Sequence, residues 1–438
     1  MAAAIASRGF EVLGVDSNPS VVESLNAGRA PVQETFLEET ITRNRERLRA
    51  TSSYQAAILS SDITFVVVPT PSDERGAFSL SFVESAFREI GRALVTKSGP
   101  HIVVLSSTVL PGSIRSTLLP VLEAESGRTA GENLGLCYSP QFIALGSVLR
   151  DFLSPDLILI GEHDQSAGTC LESFYNKLML NNPPCRRISI ENAELAKIAL
   201  NNYVIMKMTF ANMLADLCEV IPSGNVDVVS EVLGLDRRIG RYGLKGGLGY
   251  GGPCFPRDTA ALSFMAGTLG IAVDLVDAAD AANRSRPHAI VQKLRSVIGP
   301  ESTVAVLGLA YKPSSHTVEE SQAILIARAL ARLGVRVVAY DPLANESARA
   351  ELQGEVTVLE SANDCVAVAE VVVIATPDPA FRTFSQDQFR GKTIVDCWRL
   401  LDDKLAHCAT VNYWSVGKSF GAHDEQLYKE SNWQTQTG

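Results

Sequence analysis

Short apolar runs alternate with helical patterns of apolar spacing at both ends of the chain. Strands that are separated by helices form right-handed βαβ units, so the alternation predicts α/β domains with parallel sheets. The predicted strands are Glu11–Val15, Ile63–Val68, Ile102–Leu105, Leu134–Tyr138 and Leu157–Ile160 in the N-terminal part, and Thr303–Leu307, Val335–Tyr340, Val371–Ala375 and Thr393–Asp396 in the C-terminal part.

The middle of the chain, from about Ile190 to Val297, has few strand signals and is predicted to be largely helical. Its segment AELAKIALNNYVIMKMTFANMLADLCEV has the apolar spacing of a long buried helix. We therefore predict three parts: an N-terminal α/β domain over 1–188, a central helical segment over 189–298 and a C-terminal α/β domain over 299–438.

The two ends resemble each other. Gly9–Pro19 reads like Gly334–Ala344, and Phe65–Pro71 reads like Val371–Pro377. In each half a glycine ends a helix, an apolar strand follows, and an aspartate stands at the carboxyl end of the strand. The similarity has two explanations, a weak internal repeat and the pattern that any two Rossmann-like halves share. Both predict two Rossmann-like, doubly wound domains.

The comparison also exposes a difference. In the C-terminal half a strand, TVAVLGL, precedes the helix Ser321–Leu333, whereas in the N-terminal half the helix Ala2–Arg8 comes first. In the usual doubly wound order this first strand is central, and its glycine loop receives the cofactor pyrophosphate. We expect that this strand and loop are missing, that the recorded start lies too far downstream, and that the chain as numbered binds NAD weakly.

Composition narrows the classes of protein. At 438 residues, with 46% apolar and 20% charged residues, the chain is typical of a soluble protein of two or three domains. The net charge of −10 argues against nucleic acid or an anionic membrane as a partner. Eight cysteines without a CxxC pair, and histidines without metal-ligand spacing, predict a cytoplasmic protein with no metal site. No apolar run approaches the length of a membrane span.

Two strand ends carry candidate cofactor contacts. Asp16 ends a strand at a position where a carboxylate binds the adenosine ribose and favours NAD, although an aspartate there is often only a turn former. The segment Val68–Pro71, with Pro69 and Thr70, follows the next strand and would face the cofactor, but an ordinary turn would look the same.

The segment GYGGPCFPRD, Gly249–Asp258, frames a single cysteine with glycines and prolines. Cys254 precedes a predicted helix, since Pro256 suits a first turn and Asp258 adds a favourable charge there. A helix N-terminus lowers the pKa of a thiol and favours the nucleophilic thiolate. A single cysteine is more often inert packing, yet the density of glycines favours a nucleophile.

Two pairs of polar residues are open to two interpretations. Lys197 and Asn201 lie four apart on one helix face, where they could hold an oxyanion and a water in a cleft, or simply face solvent. Arg238 and Lys245 lie just upstream of the cysteine and would suit a diphosphate, or form a solvated basic loop.

Together these segments resemble the UDP-glucose/GDP-mannose dehydrogenase family over nearly the whole chain, and GYGGPCFPRD is the most specific of them. The other matching segments are GVDSNPSVVESLNAGRAPVQE, VVVPTPSDERGAFSL, SSTVLPGS, SPQFIALGSVLRDF, AELAKIALNNYV, GLAYKP and YDPLA. The resemblance implies an NAD-dependent enzyme that oxidises the primary alcohol of a nucleotide sugar through an aldehyde to a carboxylate. It also implies two Rossmann-like domains joined by a long helix that builds a homodimer or a higher homo-oligomer.

The resemblance also assigns roles by motif. Cys254 is the implied nucleophile, Lys197 stabilises an oxyanion, and Asn201 and Asp258 position water or move protons. Thr108 lies in the network of cofactor and water, which Gln141 joins at a catalytic position. The implied cofactor contacts are Asp16, Pro69, Thr70, Thr108 and Arg257, and the implied substrate contacts are Lys197, Asn201, Arg238, Lys245, Tyr250, Gly251 and Lys312, with Arg238 reaching the substrate of a neighbouring subunit.

Three positions depart from the family pattern. Gln141 and Leu145 stand where the family commonly has carboxylates, and Glu319 stands where it usually has an arginine. The resemblance implies that Cys254 holds the sugar as a thiohemiacetal and then as a thioester, which water cleaves. A glutamine can position this water but cannot accept its proton, so the hydrolysis is affected. A second hypothesis is therefore a catalytically weak or silent binding protein. A third is a hydroxy-acid or phosphogluconate-type dehydrogenase that needs no thiol, and a dehydrogenase for another nucleotide sugar remains an alternative.

Overall fold

In the computed structural model, which describes residues 1–419, internal contacts divide the chain into two units. The first contains residues 1–200 and 260–265, and the second contains 201–259 and the chain from 266 onward. The predicted boundaries at 188 and 298 stay a prediction, and residues 420–438 of the predicted C-terminal domain lie outside the described residues.

The strands of the first unit form two sheets. A two-stranded parallel sheet pairs β1 with β2, and a five-stranded sheet has the order β3-β4-β5-β6-β7. The interruption lies between β1 and β3, where the comparison of the two halves of the sequence predicts that a central strand is missing. The strands are β1 (Val12–Val15), β2 (Leu48–Thr51), β3 (Ile63–Val66), β4 (His101–Leu105), β5 (Leu134–Tyr138), β6 (Ile158–Glu162) and β7 (Cys185–Ser189).

Two expectations for this sheet are wrong. The sequence analysis did not predict β2 and β7, because their segments LRAT and CRRIS carry arginines in place of an apolar run. The pairing of β5 with β6 is antiparallel, Cys137 opposite Glu162 and Tyr138 opposite Gly161, although a fully parallel sheet was expected. An antiparallel neighbour does not need the long helical crossover that a parallel neighbour requires, and only a loop and a six-residue helix connect these two strands.

Helices of the first unit begin where polar side chains cap them. Asn18, Ser53 and Asp164 each accept a hydrogen bond from a backbone N–H of the first turn that follows. The largest apolar cluster of this unit packs the helix Ser81–Leu94 against β4 and β5. The helices are α1 (Ala2–Ser7), α2 (Pro19–Asn26), α3 (Leu37–Arg43), α4 (Tyr54–Ser60), α5 (Ser81–Leu94), a π-helical turn at Ile114–Leu118, α6 (Leu119–Ser126), α7 (Val148–Leu153) and α8 (Gln165–Leu178).

The central segment is helical, as predicted. It contains α9 (Ile190–Val220), α10 (Val226–Leu235), α11 (Phe255–Thr268) and α12 (Asp274–Arg295). The expectation that α9 is buried is only partly correct. Tyr203, Phe210, Met213 and Leu217 are 56%, 47%, 48% and 47% exposed in the single chain, because α9 carries apolar side chains on more than one face.

The C-terminal sheet confirms the doubly wound prediction. Its six parallel strands have the order β10-β9-β8-β11-β12-β13, which is the Rossmann order 3-2-1-4-5-6. The sequence analysis did not predict the two outermost strands, β10 and β13. The strands are β8 (Thr303–Leu307), β9 (Arg336–Tyr340), β10 (Thr357–Val358), β11 (Val371–Ile374), β12 (Thr393–Asp396) and β13 (Asn412–Ser415).

Apolar clusters cover both faces of the C-terminal sheet. Helices α12 and α13 supply one cluster, and α15 with two short 3-10 turns supplies the other. The remaining helices are α13 (Gln322–Arg332), α14 (Asn345–Leu352), α15 (Ala362–Val368) and α16 (Asp402–Leu405), with 3-10 turns at Pro379–Thr383 and Gln386–Phe389. Among residues 1–419, no helix is both long and apolar enough to cross a membrane.

Candidate active site

Cys254 is exposed and immediately precedes α11, as the sequence predicts. The N–H of Asp258 donates to the carbonyl oxygen of Cys254 at 2.9 Å, which is the first hydrogen bond of the helix. Pro256 lies in the first turn, where its missing N–H leaves no helical bond unmade. The thiol therefore stands at the N-terminus of a helix, which is the positive end of the helix dipole.

The glycines before Cys254 allow a close approach between two backbone segments of the second unit. A Cβ on Gly251 would lie 2.2 Å from the carbonyl oxygen of Glu320. Gly252 has a φ of +82°, and its N–H donates to the carbonyl oxygen of Glu319 at 2.9 Å. These contacts hold the cysteine loop against the segment that follows GLAYKP, and side chains at either glycine would separate the two.

Tyr250 enters this loop from a buried position. Its N–H donates to Oδ1 of Asn283 at 2.8 Å, and Nδ2 of Asn283 donates back to the Tyr250 carbonyl at 3.1 Å. Burial raises the pKa of the Tyr250 phenol, and Asp280 raises it further, so the hydroxyl stays neutral. The sequence analysis missed Asn283, since an asparagine inside a helix carries no signal of its partner 33 residues away.

The second unit brings together Asn201 and Asp258, two of the predicted site residues. Nδ2 of Asn201 donates to Oδ2 of Asp258 at 2.6 Å, and both side chains are buried. Asn202, which the sequence analysis missed, donates to the backbone carbonyl of Asp258 at 3.3 Å. A buried carboxylate that already accepts an amide hydrogen bond can hold a further polar group in a fixed direction.

Lys197 lies one helical turn before Asn201 on α9 and contacts the loop after β5. Its Nζ donates to the backbone carbonyl of Gln141 at 2.9 Å and lies 4.8 Å from the centre of the Phe142 ring. The side-chain amide of Gln141 donates to the Ser139 carbonyl at 3.1 Å and to the Tyr175 hydroxyl at 3.3 Å. Because a carbonyl can only accept, the amide nitrogen of Gln141 must face Ser139, and Oε1 is left for other contacts.

Four of the five candidate cofactor residues, all except Arg257, lie after β1, β3 and β4. Asp16 is half-buried at the end of β1, and its Oδ1 accepts from the N–H of Asn18 at 2.8 Å. The hydroxyl of the buried Thr70 donates to the carbonyl of Thr108 at 2.8 Å, which joins the loops after β3 and β4. A carboxylate and hydroxyls at the carboxyl ends of strands are the groups that contact ribose and nicotinamide parts of NAD, so this set fits the cofactor.

The predicted basic substrate residues are dispersed. The side chain of Arg238 is 88% exposed and pairs with Asp236 of its own loop at 2.5 Å. Lys245 is also exposed, and Nζ of the half-buried Lys312 lies 5.8 Å from the centre of the Tyr311 ring. Arg257 is half-buried in the first turn of α11. Arg238 and Lys245 are exposed in the single chain, and their contact with the substrate stays a prediction.

Comparisons with known proteins cover most of the chain. Residues 1–179, 191–285 and 305–403 match the NAD binding domain, the central domain and the UDP binding domain of the UDP-glucose/GDP-mannose dehydrogenase family. The UDP-glucose 6-dehydrogenase AglM of Haloferax volcanii is 37% identical, over 92% of this chain and 94% of the relative. A GDP-mannose 6-dehydrogenase of Azotobacter vinelandii is 30% identical, over 94% and 97%. The structure of a UDP-glucose dehydrogenase from Pyrobaculum islandicum superposes with a TM-score of 0.86 at 35% identity, covering 95% of this chain and 94% of the other.

The doubly wound sheets, the matched domains and the relatives define an NAD-dependent dehydrogenase. The chain belongs to the UDP-glucose/GDP-mannose dehydrogenase family. The predicted family, the α/β fold, NAD as the cofactor and the class of nucleotide-sugar 6-dehydrogenase are thereby confirmed.

Proposed function

We propose that this enzyme oxidises the C6 alcohol of UDP-glucose to the carboxylate of UDP-glucuronate. The observation that carries the proposal is the exposed Cys254 at the start of α11, held by glycines that allow no side chain. Relatives at 37% and 35% identity are UDP-glucose 6-dehydrogenases, which supports this substrate over GDP-mannose.

The proposed chemistry uses the thiol to retain the aldehyde between two oxidations. Bound NAD supplies the acceptor for hydride, and a second NAD is used for each sugar. Cys254 adds to the C6 aldehyde to give a thiohemiacetal, and oxidation converts this to a thioester that water cleaves. Lys197 stabilises the oxyanion, while Asn201 and Asp258 hold water and move protons.

Gln141 and Leu145, which depart from the family pattern, affect the last step of this chemistry, the cleavage of the thioester by water. The amide of Gln141 can hold a water through Oε1, but it cannot take the proton of that water. Leu145, at the other family carboxylate position, is 37% exposed and apolar. Asp258 is the buried carboxylate among the proposed site residues, and we assign it the proton transfer.

The other proposed contacts follow the sequence predictions. Asp16, Pro69, Thr70, Thr108 and Arg257 contact the cofactor. Tyr250, Gly251, Lys245 and Lys312 contact the nucleotide sugar, together with Arg238 from a neighbouring subunit. The parts 1–188, 189–298 and 299–438 act as the NAD-binding, the dimerisation and the nucleotide-sugar-binding parts, in the cytoplasm, where unpaired thiols stay reduced.

We also propose that the enzyme is a homodimer formed through the central helices. Tyr203, Phe210, Met213 and Leu217 recur at helical spacing along the exposed side of α9. Apolar patches of this kind on a single chain mark association surfaces. Sedimentation of the purified protein as a monomer at micromolar concentration would contradict this.

The test is the production of NADH and UDP-glucuronate from UDP-glucose, compared between Cys254→Ser and Cys170→Ser. Both cysteines are exposed, so the second variant controls for loss of a surface thiol. We expect Cys170→Ser to be as active as the parent enzyme and Cys254→Ser to make no UDP-glucuronate. Acid formation by Cys254→Ser would refute the cysteine mechanism, and a panel with GDP-mannose and UDP-N-acetyl sugars identifies the preferred substrate.

The second candidate function is that of a binding protein with little catalysis. Gln141, Leu145 and the negative Glu319 near an anionic site favour it. Such a protein would bind UDP-glucose in calorimetry and yield no NADH with any nucleotide sugar. Turnover by the parent enzyme eliminates this candidate.

A further inference from the structure

Glu194 is a fully buried carboxylate that the proposed chemistry does not use. It lies on α9 and is 0% exposed. Its Oε2 accepts from the N–H of Gly112 at 2.6 Å, and its Oε1 accepts from the N–H of Ile114 at 3.0 Å. Both carboxylate oxygens therefore bind backbone of one loop, residues 106–113, and of the turn that follows it.

The other end of the 106–113 loop is held by the loop after β3. The Ser107 hydroxyl donates to the Val68 carbonyl at 2.6 Å, and the Thr70 hydroxyl donates to the Thr108 carbonyl at 2.8 Å. Between these contacts and Glu194 the chain turns through Gly112, whose φ is +89°. The position of Thr108 thus depends on contacts at both ends of its loop.

Glu194 lies three residues before Lys197 on α9. Lys197 in turn donates to the backbone carbonyl of Gln141 in the loop after β5. Two side chains less than one turn apart on α9 therefore contact two loops, the one after β4 through Glu194 and the one after β5 through Lys197.

We propose that Glu194 is a positioning residue that fixes the 106–113 loop, and with it Thr108, relative to Lys197. The catalytic part of this inference rests on the proposed function, in which Thr108 contacts cofactor and Lys197 stabilises the oxyanion. Glu194 itself touches no reacting atom and acts through the two backbone amides.

The charges around Glu194 are few. Glu191, on the same helix, raises the pKa of Glu194, and Arg115 of the π-helical turn, which pairs with Glu191, lowers it. Burial raises the pKa of Glu194 to about 7, against the two N–H donors that favour the carboxylate. The hydrogen bonds to Gly112 and Ile114 are therefore strongest above pH 7, where the carboxylate carries a full charge.

The experiment compares the full-length enzyme with Glu194→Gln, Glu194→Asp and the control Glu191→Gln. The glutamine places an NH2 group against a backbone N–H, the aspartate keeps the charge but reaches less far, and the control neutralises a half-exposed carboxylate of the same helix. Hydrogen exchange of peptides covering 106–118 is measured together with kcat and KM over pH 6–9.

In Glu194→Gln we expect the hydrogen-exchange rates of the Gly112 and Ile114 amides to rise at least about 10-fold. The same change should lower kcat by about 10- to 100-fold and leave KM for the nucleotide sugar little changed. The kcat of the parent enzyme should rise with pH, with a midpoint close to pH 7. Glu194→Gln should lose this rise, and Glu194→Asp should keep part of it. Glu191→Gln keeps the carboxylate of Glu194 but removes a negative charge that raises its pKa, so it should keep the rise of kcat with pH and move its midpoint to lower pH.

Unchanged exchange in Glu194→Gln overturns the inference, as does faster exchange with unchanged kcat and pH profile. If the parent enzyme makes no NADH with any nucleotide sugar, the proposed function fails, and the catalytic part of the inference fails with it. Hydrogen exchange still decides whether Glu194 fixes the loop in that case, so the two failures are distinguishable.

Discussion

The replacement of Gly251 by alanine tests whether the cysteine loop depends on its close backbone contact. The added Cβ would lie 2.2 Å from the Glu320 carbonyl oxygen and 2.9 Å from the carbonyl carbon. Real Cβ atoms essentially never approach other heavy atoms within 3.0 Å, and both of these belong to backbone. The loop and the 319–320 segment must therefore separate.

The cost can be worked from the contacts that change. Overpacking of a buried position costs about 1–3 kcal/mol. Separation also weakens the bond from the Gly252 N–H to the Glu319 carbonyl, worth about 1 kcal/mol. We expect Gly251→Ala to lower the free energy of unfolding by about 2–4 kcal/mol, which leaves a folded protein if its stability is typical, ~5–15 kcal/mol.

The matched control is Gly267→Ala near the end of α11. A Cβ there meets nothing within 4 Å, and alanine suits a helix better than glycine by roughly 0.5–1 kcal/mol. Urea unfolding followed by circular dichroism should shift the midpoint down for Gly251→Ala and slightly up for Gly267→Ala. Equal midpoints for Gly251→Ala and the parent would refute the reasoning, because the loop would then accommodate a side chain at no cost.

Two further predictions concern stability. Burial, together with Lys97, lowers the pKa of His101 from 6.5 to about 4, so the folded state favours the neutral ring. The neutral ring contributes about 3 kcal/mol to the free energy of unfolding. This contribution is complete above pH 6.5 and is lost as the pH falls toward 4. His101→Gln should flatten the dependence of the urea midpoint on pH between 4 and 7, and an unchanged slope would contradict this. Asn201→Ala removes the 2.6 Å hydrogen bond to the buried Asp258 carboxylate. It should lower the free energy of unfolding in urea by about 1.5–3 kcal/mol and remove most of kcat. A loss below about 0.5 kcal/mol, which is comparable with the error of the measurement, would show that the bond is dispensable.

Apolar periodicity predicts the elements that are buried on both faces and misses those at the edges. Thr303–Leu307 is fully buried and is predicted to the residue, as is Thr393–Asp396. Cys185–Ser189 is exposed or half-buried along its whole length and carries two arginines, so no apolar pattern distinguishes it from a loop. Its place in the sheet follows from its pairing with β6, which only the folded chain supplies.

The contacts of the candidate site fall into the same two groups, those that a local sequence pattern predicts and those that it does not. The start of α11 after Cys254 is predictable because Pro256 and Asp258 are local signals of a helix N-terminus. The bond between Asn201 and Asp258 joins residues 57 apart, and the contact of Glu194 with Gly112 joins residues 82 apart. Spacing along one helix predicts that Lys197 and Asn201 share a face of α9. Which segments these side chains contact depends on the fold of the whole chain, and no local pattern shows it.

The way in which Lys197 is held bears on the departure at position 141. Its ammonium group is anchored by the backbone carbonyl of Gln141 and by the ring of Phe142, and not by the side chain of residue 141. The Gln141 side chain points its amide to Ser139 and Tyr175 instead. A change from carboxylate to amide at this position therefore leaves the lysine in place. Under the proposed mechanism, the second oxidation depends on Cys254, whereas the cleavage of the thioester depends on a group that can take a proton from water, the role assigned to Asp258. Within that mechanism, the change at position 141 therefore bears on the hydrolysis step and not on the position of Lys197.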